Sequence, residues 1–302
     1  MTAEKVAVSN LGAIGFALAG FTFWVFADTS IKLVGQSSLP PYEMVAFLGL
    51  FMALILALYA TVRRELHRLR PRRLSRQLPR ACLDMANNVC VVIALRHMTL
   101  TLFYILIFLA PILIVLLSAV FLREGLTCKK VLAVCAGFLG VVLAVHPWSA
   151  SRDADWIGIA AVLICVACFS ANMVWSRILT QTEPPESLAF FSGVVTATVG
   201  FLLMLAVGGK PLTLPLTAGL FAMGLFCALG TLCFYIAVKH TSAANVSQYH
   251  YTQLLTGTLV SYLVWRDKPS LYVLAGGLLI LAAGLYVAVT EGKNEMPLTE
   301  GI

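Results

Sequence analysis

Apolar residues fall into ten long runs, which short polar segments separate. The runs lie at 11–34, 42–62, 81–98, 100–122, 129–147, 156–178, 187–207, 212–238, 242–265 and 270–289. A membrane-spanning helix needs about 20 apolar residues, and its backbone hydrogen bonds are satisfied internally. The runs do not show the strict alternation of apolar and polar residues that half-buried strands require. The sequence therefore predicts an all-α integral membrane protein with ten transmembrane helices.

The pattern occurs twice along the chain. A shift of 143 residues places Ile93–His97 over Ile236–His240. Each half holds five predicted spans, and because five is odd, the second half must enter the membrane from the opposite side. We therefore expect two inverted five-helix repeats, residues 1–150 and 151–302, around a central cavity.

Composition supports a membrane protein. The mean hydropathy is +0.91, and 12% of the residues are charged, whereas soluble domains carry about 25%. The first apolar run continues to Val34, too far for a cleaved signal peptide, so we interpret it as a retained span.

The eight cysteines lie almost entirely in apolar runs, which favours a role in packing over metal binding or redox chemistry. We expect no metal and no cofactor.

Basic residues set the expected orientation. If both termini are cytoplasmic, the inner segments hold 15 of the 21 Lys and Arg residues, as the positive-inside rule requires. Most of this excess lies between residues 63 and 80, a stretch that in a soluble protein would suggest nucleic-acid binding. Between two spans it indicates topology and contact with anionic lipid headgroups. We expect a multi-pass protein of the inner (plasma) membrane, with lipid but no nucleic acid as a partner and a monomer as one expected state.

Polar residues inside apolar spans mark the candidate binding site, because polar groups in hydrocarbon are costly unless they face protein or water. The ninth span is the richest and includes Tyr249, His250, Tyr251 and Gln253. Two interpretations stand: a helix that lines a cavity, or a core helix held by interhelical hydrogen bonds. The third span looks short, since Arg80 and Arg96 bound it.

Three further residues are candidates for coupling or gating. Asp28 is either such a group or the partner of Lys32 in a local ion pair. Pro111 interrupts the fourth span, as a gate or as ordinary packing. His250 is either a group that changes charge near neutral pH or a neutral hydrogen-bonding residue.

A family resemblance follows from these features taken together. The fourth span of each half ends in an acidic residue after an arginine, Arg123-Glu124 and Arg266-Asp267, and a Gly-rich fifth span follows. With the ungapped duplication, the chain resembles the EamA type of the drug/metabolite transporter superfamily, and most of all the YddG-type exporters of aromatic amino acids. The resemblance implies an inner-membrane carrier with alternating access. Its cavity would be lined by the first, third, fourth, sixth, eighth and ninth helices.

The expected function is export or facilitated passage of amphipathic metabolites, above all aromatic or hydrophobic amino acids. The side chains expected to contact the apolar part of the substrate are Trp24, Tyr104, Trp175, Tyr249 and Tyr251. Those expected to bind its amino and carboxylate groups are Asn87, Asn88, Asn172, His250 and Gln253. Alternatives are export of other metabolites or drugs, an intramembrane enzyme, and a non-transporting scaffold. No catalytic motif such as HExxH or GxSxG is present, so we do not expect an enzyme.

Overall fold

The computed structural model describes most of the helical chain. The described residues are 10–121, 132, 135–137, 139–140, 142–143, 155–240, 246, 249–250 and 252–291. The helices bounded within them are α1 (Asn10–Gly35), α2 (Pro41–Val62), α3 (Leu74–His97), α4 (Leu100–Ile107), α5 (Leu109–Phe121), α6 (Trp156–Leu179), α7 (Pro185–Val207), α8 (Leu214–His240), α9 (Thr252–Trp265) and α10 (Leu271–Glu291). A short 3-10 helix, Leu66–Leu69, lies between α2 and α3. Most of the predicted fifth span, the start of the ninth, Arg123-Glu124 and Tyr251 lie outside the described residues.

Six of the described helices are long and apolar enough to cross a membrane: α1, α2, α3, α6, α7 and α8. Their apolar segments have 22 to 27 residues, or about 33–40 Å at 1.5 Å per residue, which matches a hydrocarbon core of about 30 Å. The described part of the chain is therefore that of an all-α integral membrane protein.

The predicted bounds of α1, α2, α6, α7, α8 and α10 agree with the structure to within two residues at each end. Local sequence explains two of the starts. Pro41 and Pro185 each occupy the first turn of a helix, where the missing N–H and the fixed φ of proline are tolerated. These prolines stand at equivalent positions of the sequence repeat.

The third helix is longer than the sequence suggested. The sequence suggested a short span that begins after Arg80, but α3 runs from Leu74 to His97 and has 24 residues. Arg80 lies inside it and is fully buried. Its guanidinium donates hydrogen bonds of 2.8 Å to the Leu188 carbonyl and to Ser192 Oγ, both on α7. An arginine with buried partners does not end a span, so the prediction of a short third helix was wrong.

The fourth span is broken where the proline predicts it. Helix α4 ends at Ile107, Phe108 lies in a turn, and α5 begins at Leu109. Pro111 has no N–H to bond the Ile107 carbonyl, four residues earlier, and its ring would crowd that carbonyl. The predicted interruption is confirmed. The Pro111 side chain lies outside the description, so its role in gating stays a prediction.

Packing between helices joins the two halves of the chain. The most extensive helix pairs are α1 with α8, α2 with α7, and α3 with α6. Each pair takes one helix from each half, so the halves share one core instead of forming two separate ones. Between α2 and α7 the backbones nearly touch. A Cβ on Gly49 would overlap the Ala197 backbone nitrogen, and one on Gly193 would lie 2.9 Å from the Ala53 nitrogen.

Candidate substrate cavity

A cavity of about 70 Å³ lies among the helices of the two halves. The polar side chains in its wall are Asp28, Asp84, Asn87, Asn88, Asn172, Thr231, Tyr235, His250 and Gln253. Four aromatic rings complete much of the rest: Trp24, Phe103, Phe169 and Phe234. Apart from Leu48 on α2, the described lining residues come from α1, α3, α4, α6, α8, α9 and the turn before α9.

Helical spacing brings the polar groups to the cavity. On α3, Asp84, Asn87 and Asn88 are three and four residues apart, and they therefore share one face at 3.6 residues per turn. On α1, Trp24 and Asp28 are four residues apart and share a face in the same way. Each of the two helices therefore presents one row of side chains to the cavity.

The Asp84 carboxylate accepts two hydrogen bonds and lies beside a guanidinium. Its Oδ1 accepts a hydrogen bond of 3.1 Å from Asn172 Nδ2, and its Oδ2 accepts one of 3.4 Å from the Tyr235 hydroxyl. Arg80 donates to the same hydroxyl, and its Nη1 lies 3.9 Å from Asp84 Oδ2. The negative charge of Asp84 is therefore compensated by a buried guanidinium.

Asp28 has different surroundings. Its Oδ2 accepts a hydrogen bond of 2.8 Å from the Tyr104 hydroxyl. Lys32, one turn away, instead donates to the Met98 carbonyl at 2.8 Å and lies over the Trp265 ring, 5.3 Å from its centroid. The ion pairs among the described residues do not include Asp28 with Lys32. The ion-pair interpretation of Asp28 was therefore wrong.

His250 lies in a cluster of aromatic rings and is 2% exposed. Its ring stacks on Phe21 at 4.8 Å between centroids and lies 5.3 Å from Phe169. Among the described residues, its Nδ1 has no hydrogen-bond partner. Nearby, Gln253 Nε2 donates to the Phe21 carbonyl at 3.1 Å. A buried ring nitrogen without a partner, in the wall of a cavity, is available to a ligand.

The aromatic wall is centred on Trp24. Its ring lies 5.0 Å from Phe234 and 5.9 Å from Phe169, centroid to centroid. Its Nε1 donates to Thr231 Oγ1 at 3.3 Å. Rings at these distances form a rigid apolar surface, which the hydrogen bond holds in place.

Most of the predicted site residues meet in this cavity. Trp24, Asn87, Asn88, Asn172, His250 and Gln253 line it together with Asp28. Tyr104 is fully buried behind Asp28, and Tyr249 is half-buried and packs against the core. Trp175 is 37% exposed and lies apart from the cavity. Tyr251 lies outside the described residues.

The sequence missed several wall residues. Thr231, Phe234 and Tyr235 all lie on α8, a helix so uniformly apolar that no stripe stands out. Arg80, which contacts the wall residues Tyr235 and Asp84, was missed because a basic residue near a loop looks like the edge of a span. The sequence signal that could have indicated the three α8 residues is their spacing, because positions 231, 234 and 235 lie on one face of a helix.

Polar contacts between the halves also occur at both ends of α3. Near its N-terminal end, Glu183 accepts hydrogen bonds of 2.9 and 2.8 Å from the backbone nitrogens of Arg72 and Arg73. At its C-terminal end, His97 Nδ1 lies 2.6 Å from Asp155 Oδ2. Asp155 precedes α6, and the hydrogen bond from the Gly158 backbone, aided by His97, lowers the pKa of its carboxyl.

Apolar helices of spanning length around a cavity with an internal polar wall define a polytopic membrane protein with a site for small molecules. The EamA-like transporter family matches residues 11–146 and 156–289. The chain belongs to this family, as the resemblance indicated. The narrower likeness to YddG-type exporters stays a prediction.

Related proteins are transporters of small molecules. The chain is 25% identical over 275 residues to a protein named riboflavin transporter of Brucella anthropi, covering 89% of this chain and 96% of that protein. It is 27% identical over 281 residues to the pseudopaline exporter CntI of Pseudomonas aeruginosa, covering 93% and 96%. A solved structure with 18% identity superposes with a TM-score of 0.68 over 94% of this chain and 99% of that chain, which shows the fold. The chain is therefore a member of a family of membrane transporters.

Proposed function

We propose that the protein exports amphipathic small metabolites, or facilitates their passage, through the central cavity by alternating access. The observation that supports this proposal is that the cavity wall has two chemically different surfaces. Aromatic rings around Trp24 form one surface, while carboxylate, amide and hydroxyl groups of α3, α6 and α8 supply polar contacts. An amphipathic molecule pairs with both surfaces at once, whereas water or an inorganic ion would leave the aromatic surface without a partner.

The size of the cavity supports movement. At about 70 Å³ it is well below the roughly 300–1,000 Å³ of sites that enclose a metabolite. A metabolite therefore enters only if the helices around the cavity move apart. Polar contacts that join the halves at both ends of α3 are the ones that such a movement breaks and reforms.

The proposed architecture is two inverted five-helix repeats with ten spans, residues 1–150 and 151–302, and both termini in the cytoplasm of an inner-membrane protein. In the sequence repeat, α1 corresponds to α6 and α3 to α8. The pairing of α1 with α8 is then equivalent to that of α6 with α3, and both pairs are extensive. A two-fold relation of this kind, with the site near its axis, is typical of carriers built from inverted repeats.

Aromatic and hydrophobic amino acids remain candidate substrates. In this assignment Trp24 contacts the apolar side chain, and Asn87, Asn88, Asn172, His250 and Gln253 bind polar groups. The names of the relatives support a broader panel, because one is named for a vitamin and another for pseudopaline. The wall fits the shared chemistry of such molecules: an apolar body that carries hydrogen-bonding groups.

The test is flux of labelled phenylalanine, tryptophan and riboflavin in proteoliposomes that contain the purified full chain. We expect protein-dependent flux of at least one compound. Trp24→Ala should lower it about tenfold, because one aromatic surface is lost. Trp175→Ala is the matched control, since that ring lies apart from the cavity, and should leave flux within twofold. Equal effects of the two variants would place the path elsewhere, and flux equal to empty liposomes for an enlarged metabolite panel would reject the carrier.

A further inference from the structure

We propose that the substrate carries a positive charge and that Asp28 binds this charge in the cavity wall. The inference rests on the proposed function, because it assumes that the central cavity is the substrate site. It names the class of substrate: an amphipathic organic cation with an aromatic or other apolar body.

One oxygen of the Asp28 carboxyl group is available to a ligand. Tyr104 donates to Oδ2, and this is the one hydrogen bond that the Asp28 side chain makes among the described residues. The nearest basic residue on the same helix, Lys32, is bound to the Met98 carbonyl and packs over Trp265. A carboxylate inside a membrane-spanning helix normally pairs with a cation or lines a wet path. Asp28 therefore lacks a cation that the described chain could supply.

Asp84, the other acidic residue of the cavity wall, differs from Asp28 in its partners. Both oxygens of Asp84 have donors, and Arg80 lies beside it. The wall thus holds two carboxyl groups and one neighbouring guanidinium, and Asp28 is the carboxyl group without a basic partner among the described residues.

The rest of the described wall contains neither lysine nor arginine. A substrate that presents a carboxylate finds amides and hydroxyls there but no opposite charge. An anion would also be repelled by Asp28, because like charges in a poorly solvated site oppose each other strongly. The wall therefore favours a cation over an anion, and over a zwitterion whose carboxylate must also be accommodated.

Two further groups complete the site. Trp24 lies one turn from Asp28 on the same face of α1, and an indole face is the best aromatic surface for an alkylammonium group. His250 contributes an independent observation, since its Nδ1 is buried in the wall and no other described residue makes a hydrogen bond to it. That nitrogen fits a neutral hydroxyl or amide on the body of the ligand.

The sequence repeat supplies the minimal test substitution. The position equivalent to Asp28 in the second half is Asn172, which has the same shape and no charge. Asp28→Asn therefore removes the unmatched charge and keeps a polar side chain that α6 already accommodates in the same wall. Glu65→Gln is the matched control, because Glu65 lies in the loop after α2, away from the cavity wall.

The experiment compares three probes with the same phenyl body: phenethyltrimethylammonium, phenylalanine and 3-phenylpropionate. The first is a permanent cation, so its charge does not depend on pH. Binding is measured as the ligand-induced rise in Tm of the purified full chain, and transport as flux into proteoliposomes. For the wild type we expect at least tenfold tighter binding of the cation than of either other probe. Asp28→Asn should remove that preference, and Glu65→Gln should keep it.

Each outcome decides the inference. Tighter binding of phenylalanine or phenylpropionate by the wild type would overturn it, and so would an undiminished cation preference in Asp28→Asn. A variant that loses binding of all probes, with its own Tm unchanged, would also overturn it, because the effect would not be specific to charge. If no compound shows protein-dependent flux, the carrier function fails, while selective binding of the cation in solution would still uphold the site.

Discussion

The guanidinium of Arg80 lies over the ring of Tyr235, with Cζ 5.2 Å from the ring centroid, and donates to its hydroxyl. This contact ties α3 to α8, while two hydrogen bonds from the same guanidinium tie α3 to α7. One buried cation thus connects three helices beside the cavity. Its ion partner Asp84 lies in the cavity wall, so the connection links the packing of the helices to the site.

Replacing Arg80 should destabilise the fold. Arg80→Met leaves Asp84 without its buried counterion, and breaking such a pair on one side costs about 3–5 kcal/mol. We expect a drop in Tm of several degrees in detergent micelles. Arg76→Met is the control, because Arg76 is exposed on the same helix, and should change little. An equal Tm for the two variants would mean that Arg80 does not support the fold.

The glycines between α2 and α7 should resist substitution. A Cβ on Gly49 would overlap the backbone of Ala197, and forced separation of packed elements costs about 1–3 kcal/mol. Gly49→Ala should therefore lower Tm and the yield of folded protein. Gly15→Ala is the matched control, because no atom of the described residues lies within 4 Å of its added Cβ. There the gain in helix propensity, up to about 1 kcal/mol, should leave Tm equal or higher.

Removing the Tyr104 hydroxyl should impair the site more than the fold. Tyr104→Phe deprives Asp28 of its one donor, and a hydrogen bond to a charged group contributes about 1.5–3 kcal/mol. We expect about tenfold weaker binding of substrate, measured by titration of the purified protein. Tyr249→Phe is the control, because the Tyr249 hydroxyl makes no hydrogen bond among the described residues. If the two variants bind alike, the bond between Tyr104 and Asp28 does not shape the site.

The Asp155 cap predicts a dependence of stability on pH. Because the pKa of Asp155 in the folded protein lies below its ordinary value of 3.8, ionised Asp155 stabilises the fold above that value. This contribution is lost as the pH falls through the lower, folded pKa. Below pH 5, the difference in Tm between wild type and Asp155→Ala should shrink as the pH falls through about 4 and below. A difference that grows between about pH 5 and about pH 2 would contradict this account.

The sequence predicted much of the fold because lipid imposes a simple rule on spanning helices. Six helix bounds agree to within two residues, and Pro111 marked the break between α4 and α5. Arg80 shows where the rule fails. Its guanidinium donates to hydrogen-bond acceptors on α7 and α8, which lie more than a hundred residues away in the chain, and no local pattern indicates them.

The site was predicted in part for the same physical reason. Amides in apolar spans, such as Asn87, Asn88 and Asn172, stand out because hydrocarbon excludes them, and all three line the cavity. Aromatic side chains do not stand out, since they also occur on lipid-facing surfaces. Trp24 and Trp175 look alike in sequence, yet one lines the cavity and the other is exposed.

Accessibility of the cavity from the two sides of the membrane tests the central claim most directly. Asn88 lines the cavity, so a cysteine at this position, Asn88→Cys, can be probed with a membrane-impermeant thiol reagent after the native cysteines are replaced. The account predicts labelling from either side of oriented vesicles, with substrate slowing the reaction on both. Labelling from one side alone, or at a rate that no substrate changes, would contradict alternating access through this cavity.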